Sequence, residues 1–142
     1  MQTVYRYWVT IIFLAVIVQV AFAGFGAFSV AGDVDDGGSV NDDRFEDVFG
    51  LHAGFGYLIG FATIILLVLA LVGRLGKRRI LQSAALVGLL VLQIVLAEIG
   101  FDVAAIGALH PVNALAIFSL SGYLTAAAWR TRETAVATAP AT

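Results

Sequence analysis

Four long apolar segments constrain this chain more than any other feature, because the stretches between them hold most of its charges. The segments cover residues 7–30, 48–72, 80–97 and 103–129. A helix needs roughly 20 apolar residues to cross a hydrocarbon core of about 30 Å. Since the chain is 61% hydrophobic and only 13% charged, it is predicted to be an all-α membrane protein, with four transmembrane helices in one bundle and a single domain over residues 1–142.

The basic residues predict the orientation of these helices, since Lys and Arg in short loops stay on the cytoplasmic side. Every basic residue except Arg44 lies before the first segment, between the second and third, or after the fourth. Both termini are therefore predicted to be cytoplasmic, with residues 31–47 and 98–102 facing outward. We expect a multi-pass protein of a prokaryotic plasma membrane.

Two connecting regions are expected to lack regular structure. Residues 31–47 form an acidic outer loop with a Gly-Gly-Ser centre, which indicates a mobile, solvated segment. Its acidic spacing does not fit a calcium loop. The polar C-terminal tail, residues 130–142, is predicted to be disordered.

The two halves of the chain resemble each other. The stretch around Gln19 lines up with the stretch around Gln93, with Ala and Gly matching as well, and His52 then lines up with His110. Matches of Ala, Leu and Gly are common in membrane helices, whereas a matched Gln and a matched His are not. The pattern predicts two pseudo-repeated helical hairpins, related by an axis along the membrane normal.

His52 and His110 are the two histidines of the chain, and each lies near the outward start of a predicted helix. An ionisable residue within a membrane segment is by default a functional-site hypothesis. Two helices that each present one imidazole across a bundle are what a bis-histidine haem requires. Because the chain has no Cys, an iron–sulfur cluster and a covalent c-type haem are excluded. The sequence predicts both histidines as iron ligands of a haem b.

Other residues are candidate contacts of that haem, and each also has a purely structural interpretation. Gly56 leaves room for a flat macrocycle or simply allows close helix packing. Gln19, Gln93 and Asn113 bond a porphyrin substituent or join helices. Arg44 is the outer cation that could meet haem propionates. The remaining candidate feature is Pro111, which marks either the start of the fourth helix or a kink at the ligand.

These residues resemble one four-helix half of haem A synthase. The likeness lies in a His at the head of the second helix, a Gln followed by Ala or Gly in the third, and a second His at the head of the fourth. It implies that His52 and His110 are axial ligands of a haem b. The chain departs from the catalytic half of that family, which has a Glu where this chain has Phe49, and it lacks the extracellular Cys pair.

Two functions follow as expectations. The first is a small membrane haem b protein for electron transfer, whose partners are the lipid bilayer and a membrane redox partner or a quinone. The alternative is a non-catalytic accessory or assembly subunit without a cofactor, in which the histidines only join helices. The sequence assigns no enzymatic activity, leaves the oligomeric state open and gives no indication of nucleic acid binding.

Overall fold

A computed structural model describes the backbone of residues 1–137 and the side chains of residues 1–130, and it is helical with no strand in that part of the chain. The helices are α1 (Gln2–Asp35), α2 (Asp42–Val72), α3 (Lys77–Asp102), α4 (Ala104–Gly107) and α5 (Leu109–Ala137). Four spans are long and apolar enough to cross a membrane, namely α1, α2, α3 and Ala104–Arg130. The prediction of an all-helical protein with four such helices is confirmed.

The long helices pack around one core. The backbones of α1 and α3 each lie close to those of α2 and α5, whereas the backbones of α1 and α3, and those of α2 and α5, stay farther apart within the described residues. One buried cluster takes side chains from all four long helices, among them Ile12, Ile59, Leu86 and Ile117. In lipid such packing stabilises by close contact rather than by removal of apolar surface from water.

Small hydroxyl side chains let the helices approach each other in this core. Thr63, Ser83 and Ser121 are fully buried. The hydroxyl of Tyr5 is 3.0 Å from the Ser83 hydroxyl, while Thr63 and Ser121 donate to carbonyls of their own helices. Each polar group is therefore paired, as burial in lipid requires.

The predicted outer loop 31–47 is too long, because α1 continues to Asp35 and α2 already begins at Asp42. Local helix-start chemistry explains the difference: Asn41 caps α2 by accepting a hydrogen bond from the Arg44 amide at 2.9 Å. Asp42 and Asp43 lie in the first turn of α2, where the helix dipole favours negative charge. Only residues 36–41 connect the two helices.

The predicted disordered tail, residues 130–142, overlaps the end of α5, which continues to Ala137. Residues 138–142 of that tail lie outside the described residues.

The fourth span begins with a short turn rather than a kinked helix. α5 starts at Leu109, so Pro111 lies in its first turn, where no helical hydrogen bond is lost. The interpretation of Pro111 as a helix start is therefore correct. α4 folds back onto α3 at a close approach of two glycines, since a Cβ on Gly100 would lie 2.7 Å from the Gly107 Cα.

We expect Gly100→Ala to lower the free energy of unfolding by about 1–3 kcal/mol, because the added methyl would meet backbone that must move. Gly88→Ala in the same helix is the matched control, since a Cβ there meets nothing within 4 Å, and it should be neutral or stabilise by up to about 1 kcal/mol. Thermal unfolding in detergent measures both. Equal stability of the two variants would contradict the Gly100–Gly107 contact.

Candidate functional site

His52 connects α2 to α1 through a reciprocal pair of hydrogen bonds. Its Nδ1 lies 3.2 Å from the backbone carbonyl oxygen of Gln19. In return, the Gln19 side chain donates from Nε2 to the backbone carbonyl of His52 at 2.7 Å. The two residues therefore join α1 and α2 at the level of His52, roughly 15 Å along α2 from its start.

His110 connects α5 to α3 in an equivalent way. Its Nδ1 lies 3.0 Å from the backbone carbonyl oxygen of Gln93. The Gln93 side chain has a different partner here, because its Oε1 accepts from Asn113 Nδ2 at 2.7 Å. The same Asn113 nitrogen also donates to the Leu89 carbonyl at 2.9 Å. Asn113, which is buried, thereby secures the Gln93 side chain.

These contacts determine the tautomer of both imidazoles. A backbone carbonyl oxygen can only accept, so each Nδ1 carries the hydrogen and donates it. In the neutral ring, Nε2 then has a free lone pair and can bind a metal. Within residues 1–130, the hydrogen bonds of both histidine rings go through Nδ1 and none goes through Nε2.

The two rings come together although the backbones of α2 and α5 are not close to each other. The ring centroids of His52 and His110 are 6.2 Å apart, and the ring planes are inclined by 59°. Both rings are half-buried. No group of three or more His, Cys, Asp or Glu side chains in the described residues could hold a metal ion. Any metal at this site would therefore have two ligands from the chain, which does not suit a protein-bound zinc ion.

A series of aromatic rings leads from the surface to His52. Phe49 meets the His52 ring edge-on with centroids 6.3 Å apart, Phe45 stacks on Phe49 at 4.6 Å, and Phe101 of α3 contacts Phe45 at 5.8 Å. The sequence-based prediction of the site did not include these rings. Phe45 and Phe49 precede His52 by seven and three residues, a spacing that places all three on one helix face and could have indicated the cluster.

The remaining candidate residues have other partners. A Cβ on Gly56 would lie 2.9 Å from Gln19 Nε2, so the space beside Gly56 holds the Gln19 amide. Arg44 forms ion pairs with Asp33 at 2.8 Å and Asp47 at 2.9 Å, and its contact with a propionate stays a prediction. Gln19 Oε1 is buried without a hydrogen-bond partner in the described structure.

We expect Asn113→Ala and Gln93→Ala to be coupled by about 0.6 kcal/mol in a double-mutant cycle, the typical strength of a hydrogen bond between membrane helices. The control cycle combines Asn113→Ala with Gln19→Ala, which share no bond. Unfolding in mixed detergent micelles measures both couplings. The Asn113–Gln93 bond would be contradicted if the two cycles gave the same value.

Comparison with known proteins identifies a family for this chain but no reaction. Neither a curated protein nor a solved structure matches the chain. A family described as being of unknown function, DUF6220, matches residues 19–100, which include Gln19, His52 and Gln93 and stop before His110. Because this match covers more than half of the chain, the protein belongs to the DUF6220 family.

Proposed function

We propose that this protein is a small integral membrane haem b protein that holds iron between His52 and His110 and carries single electrons. The observation that carries the proposal is the pair of facing imidazoles, 6.2 Å apart between centroids. Each is oriented by a backbone carbonyl through Nδ1, and each keeps Nε2 free to bind iron.

The spacing of the rings fits an iron between them. Two iron–nitrogen bonds of about 2.0 Å, a value taken from zinc–imidazole geometry, plus roughly 1 Å from each Nε2 to its ring centre, give centroids about 6 Å apart. Neutral nitrogen donors are also the chemistry that an axial haem position takes. The centroid distance and the kind of ligand are therefore both compatible with the proposed iron site.

With two axial histidines, a bound haem b supplies one-electron exchange without an open position for oxygen. The residues of the chain determine how the site behaves. Hydrogen bonds from Nδ1 to the carbonyls of Gln19 and Gln93 fix the orientation of both rings. Resemblance to one half of haem A synthase supports the same ligands, and Phe49 in place of that family's Glu favours a haem carrier over a haem-modifying enzyme.

The arrangement of the helices supports a two-fold repeat in this proposal. His52 bonds the carbonyl of Gln19, and His110 bonds the carbonyl of Gln93, which are the pairs that the sequence repeat aligns. The proposed molecule is a bundle of two hairpins in which α2 and α5 contribute the ligands, and α1 and α3 contribute the carbonyls that orient them.

A structural role for the histidines is the second candidate function, that of an accessory subunit without a cofactor. The hydrogen bonds of His52 to α1 and of His110 to α3 favour it, since they hold pairs of helices together. That role uses only Nδ1, however, and it does not require the two rings to meet across α2 and α5. The meeting of the rings supports the haem protein over the structural role.

Purified protein from haem-replete cells should show the visible spectrum of low-spin bis-histidine haem b. His52→Ala or His110→Ala should convert it to a high-spin spectrum or abolish it, because one axial bond is lost. Leu51→Ala and Leu109→Ala are matched controls, since these neighbours are exposed side chains on the same turns, and they should keep the low-spin spectrum. A colourless protein whose stability depends on both histidines would favour the accessory role instead.

The orientation belongs to the same proposal. Arg6 near the start of α1 lies against Trp129 of α5, with its guanidinium carbon 4.6 Å from the ring, which places the start of α1 and this part of α5 at one end of the helices. Basic residues cluster at that end, so we propose that it faces the cytoplasm of a prokaryotic cell. The histidines then lie toward the outer leaflet.

A reporter that is active only in the cytoplasm should give signal when fused after Thr142 and none when inserted at Gly38 in the 36–41 connection. The expected difference follows from the basic residues beside the termini. A reporter that is active only outside the cytoplasm, fused at the same two sites, is the reciprocal control. Cytoplasmic signal at Gly38 would reverse the proposed orientation.

A further inference from the structure

A surface groove lies beside the histidine pair, between the start of α2 and the end of α3. Its volume is about 500 Å³. Three phenyl rings and two small residues form most of its surface, and two carboxylates complete it. The lining residues are Asp42, Phe45, Glu46, Phe49, Gly50, Ala53 and Phe101.

The two carboxylates of the groove differ from those of Asp33 in α1 and Asp47 in α2. Asp33 and Asp47 are ion-paired with Arg44. Asp42 and Glu46 have no ion-pair or side-chain hydrogen-bond partner within residues 1–130. They are therefore free to accept hydrogen bonds from a molecule in the groove, and they would repel one that presents only acceptors or negative charge.

The aromatic part of the groove is continuous with the histidine site. Phe49 lines the groove and also meets the His52 ring edge-on. A planar ring resting on Phe45 and Phe49 would thus lie one side chain away from His52. Aromatic rings pack well on such faces, in stacked or edge-on contact.

We propose that this groove binds the head group of a membrane quinol, an aromatic ring with two hydroxyl groups and an apolar tail. The phenyl rings suit the ring of the quinol, and the hydroxyls suit Asp42 and Glu46, which accept hydrogen bonds but cannot donate them when ionised. The exposed side of the groove, where Phe101 is 72% exposed, lets the tail remain in lipid. This inference rests on the proposed function for its redox consequence, but the binding site stands on the groove alone.

The electron transfer balances without a further reactant. A haem held by His52 and His110 would accept one electron at a time, so one quinol would give one electron to each of two protein molecules and leave as the quinone. Its two protons pass to the carboxylates of the groove and from there to water. The core on the other side of the histidines is filled by apolar residues such as Ile12, Ile59, Leu86 and Leu90, so the groove side is the exit for these protons.

Binding is tested first with matched redox states, ubiquinol-1 on reduced protein freed of dithionite and ubiquinone-1 on oxidised protein, so that no electron transfer accompanies it. Ubiquinol-1 should bind by calorimetry in nanodiscs with a Kd about tenfold lower than that of ubiquinone-1, because the quinone offers no hydroxyl to the carboxylates. Equal affinity for the two forms, or no binding of either, would overturn the proposal.

The position of the site is tested by filling the groove. A Cβ at Gly50 or at Gly54 meets nothing within 4 Å, so both positions accept a side chain, but only Gly50 lines the groove. Gly50→Leu should weaken ubiquinol-1 binding by about tenfold or more, and Gly54→Leu should bind it like the wild type. Equal effects of the two variants would contradict the assignment. Loss of the haem spectrum in Gly50→Leu alone would indicate that the groove holds the edge of the porphyrin. That result would also overturn the proposal of a quinol site.

The role of the carboxylate is tested by stopped-flow reduction of ferric protein with ubiquinol-1. Glu46→Gln should slow haem reduction by about 100-fold, the usual effect of losing a proton acceptor, while its low-spin spectrum stays unchanged. Asp43→Asn, on the neighbouring exposed position outside the groove, should react like the wild type. If the wild type contains no haem yet binds ubiquinol-1 in a Gly50-dependent way, the proposed function fails and the quinol site is supported.

Discussion

The packing of the helices depends on hydrogen-bond acceptors for two imidazole N–H groups, because water is absent from the membrane interior. An unpaired polar group in lipid costs several kcal/mol, and each Nδ1 avoids that cost by donating to the backbone carbonyl of a glutamine on the neighbouring helix. Each bond fixes the height and rotation of one helix against another. It also leaves the lone pair of each neutral ring on Nε2.

The two halves of the chain bind the imidazole N–H in the same way but support that contact with different side chains. In the first half, the Gln19 amide donates back to the His52 carbonyl, and Gly56 provides the space for it. In the second half, Gln93 turns to Asn113. His110 lies in the first turn of α5, directly before Pro111. The contact of each imidazole with a glutamine carbonyl is thus the same in both halves, while the supporting contacts differ.

The sequence predicts the helices and the paired residues, because hydropathy and the spacing of rare polar residues depend on the chain alone. It does not predict that the glutamines act through their backbone carbonyls, since a carbonyl has no sequence signature. The outer loop was predicted too long because Asp33, Asp42 and Asp47 suggested a solvated segment, whereas the Asn41 cap and the Arg44 ion pairs make these residues helical. Phe101 could not be placed beside Phe45, because that contact depends on how α2 and α3 pack.

The groove lies beside His52 rather than His110, so the two sides of the histidine pair differ. Phe49 contacts the His52 ring, while the supporting contacts of His110 involve the amides of Gln93 and Asn113. If the proposed haem is present, an electron donor in the groove would meet it from the side of α2. An acceptor on the opposite side, at α5, would then let a single haem between two helices connect two different partners without either one displacing a histidine ligand.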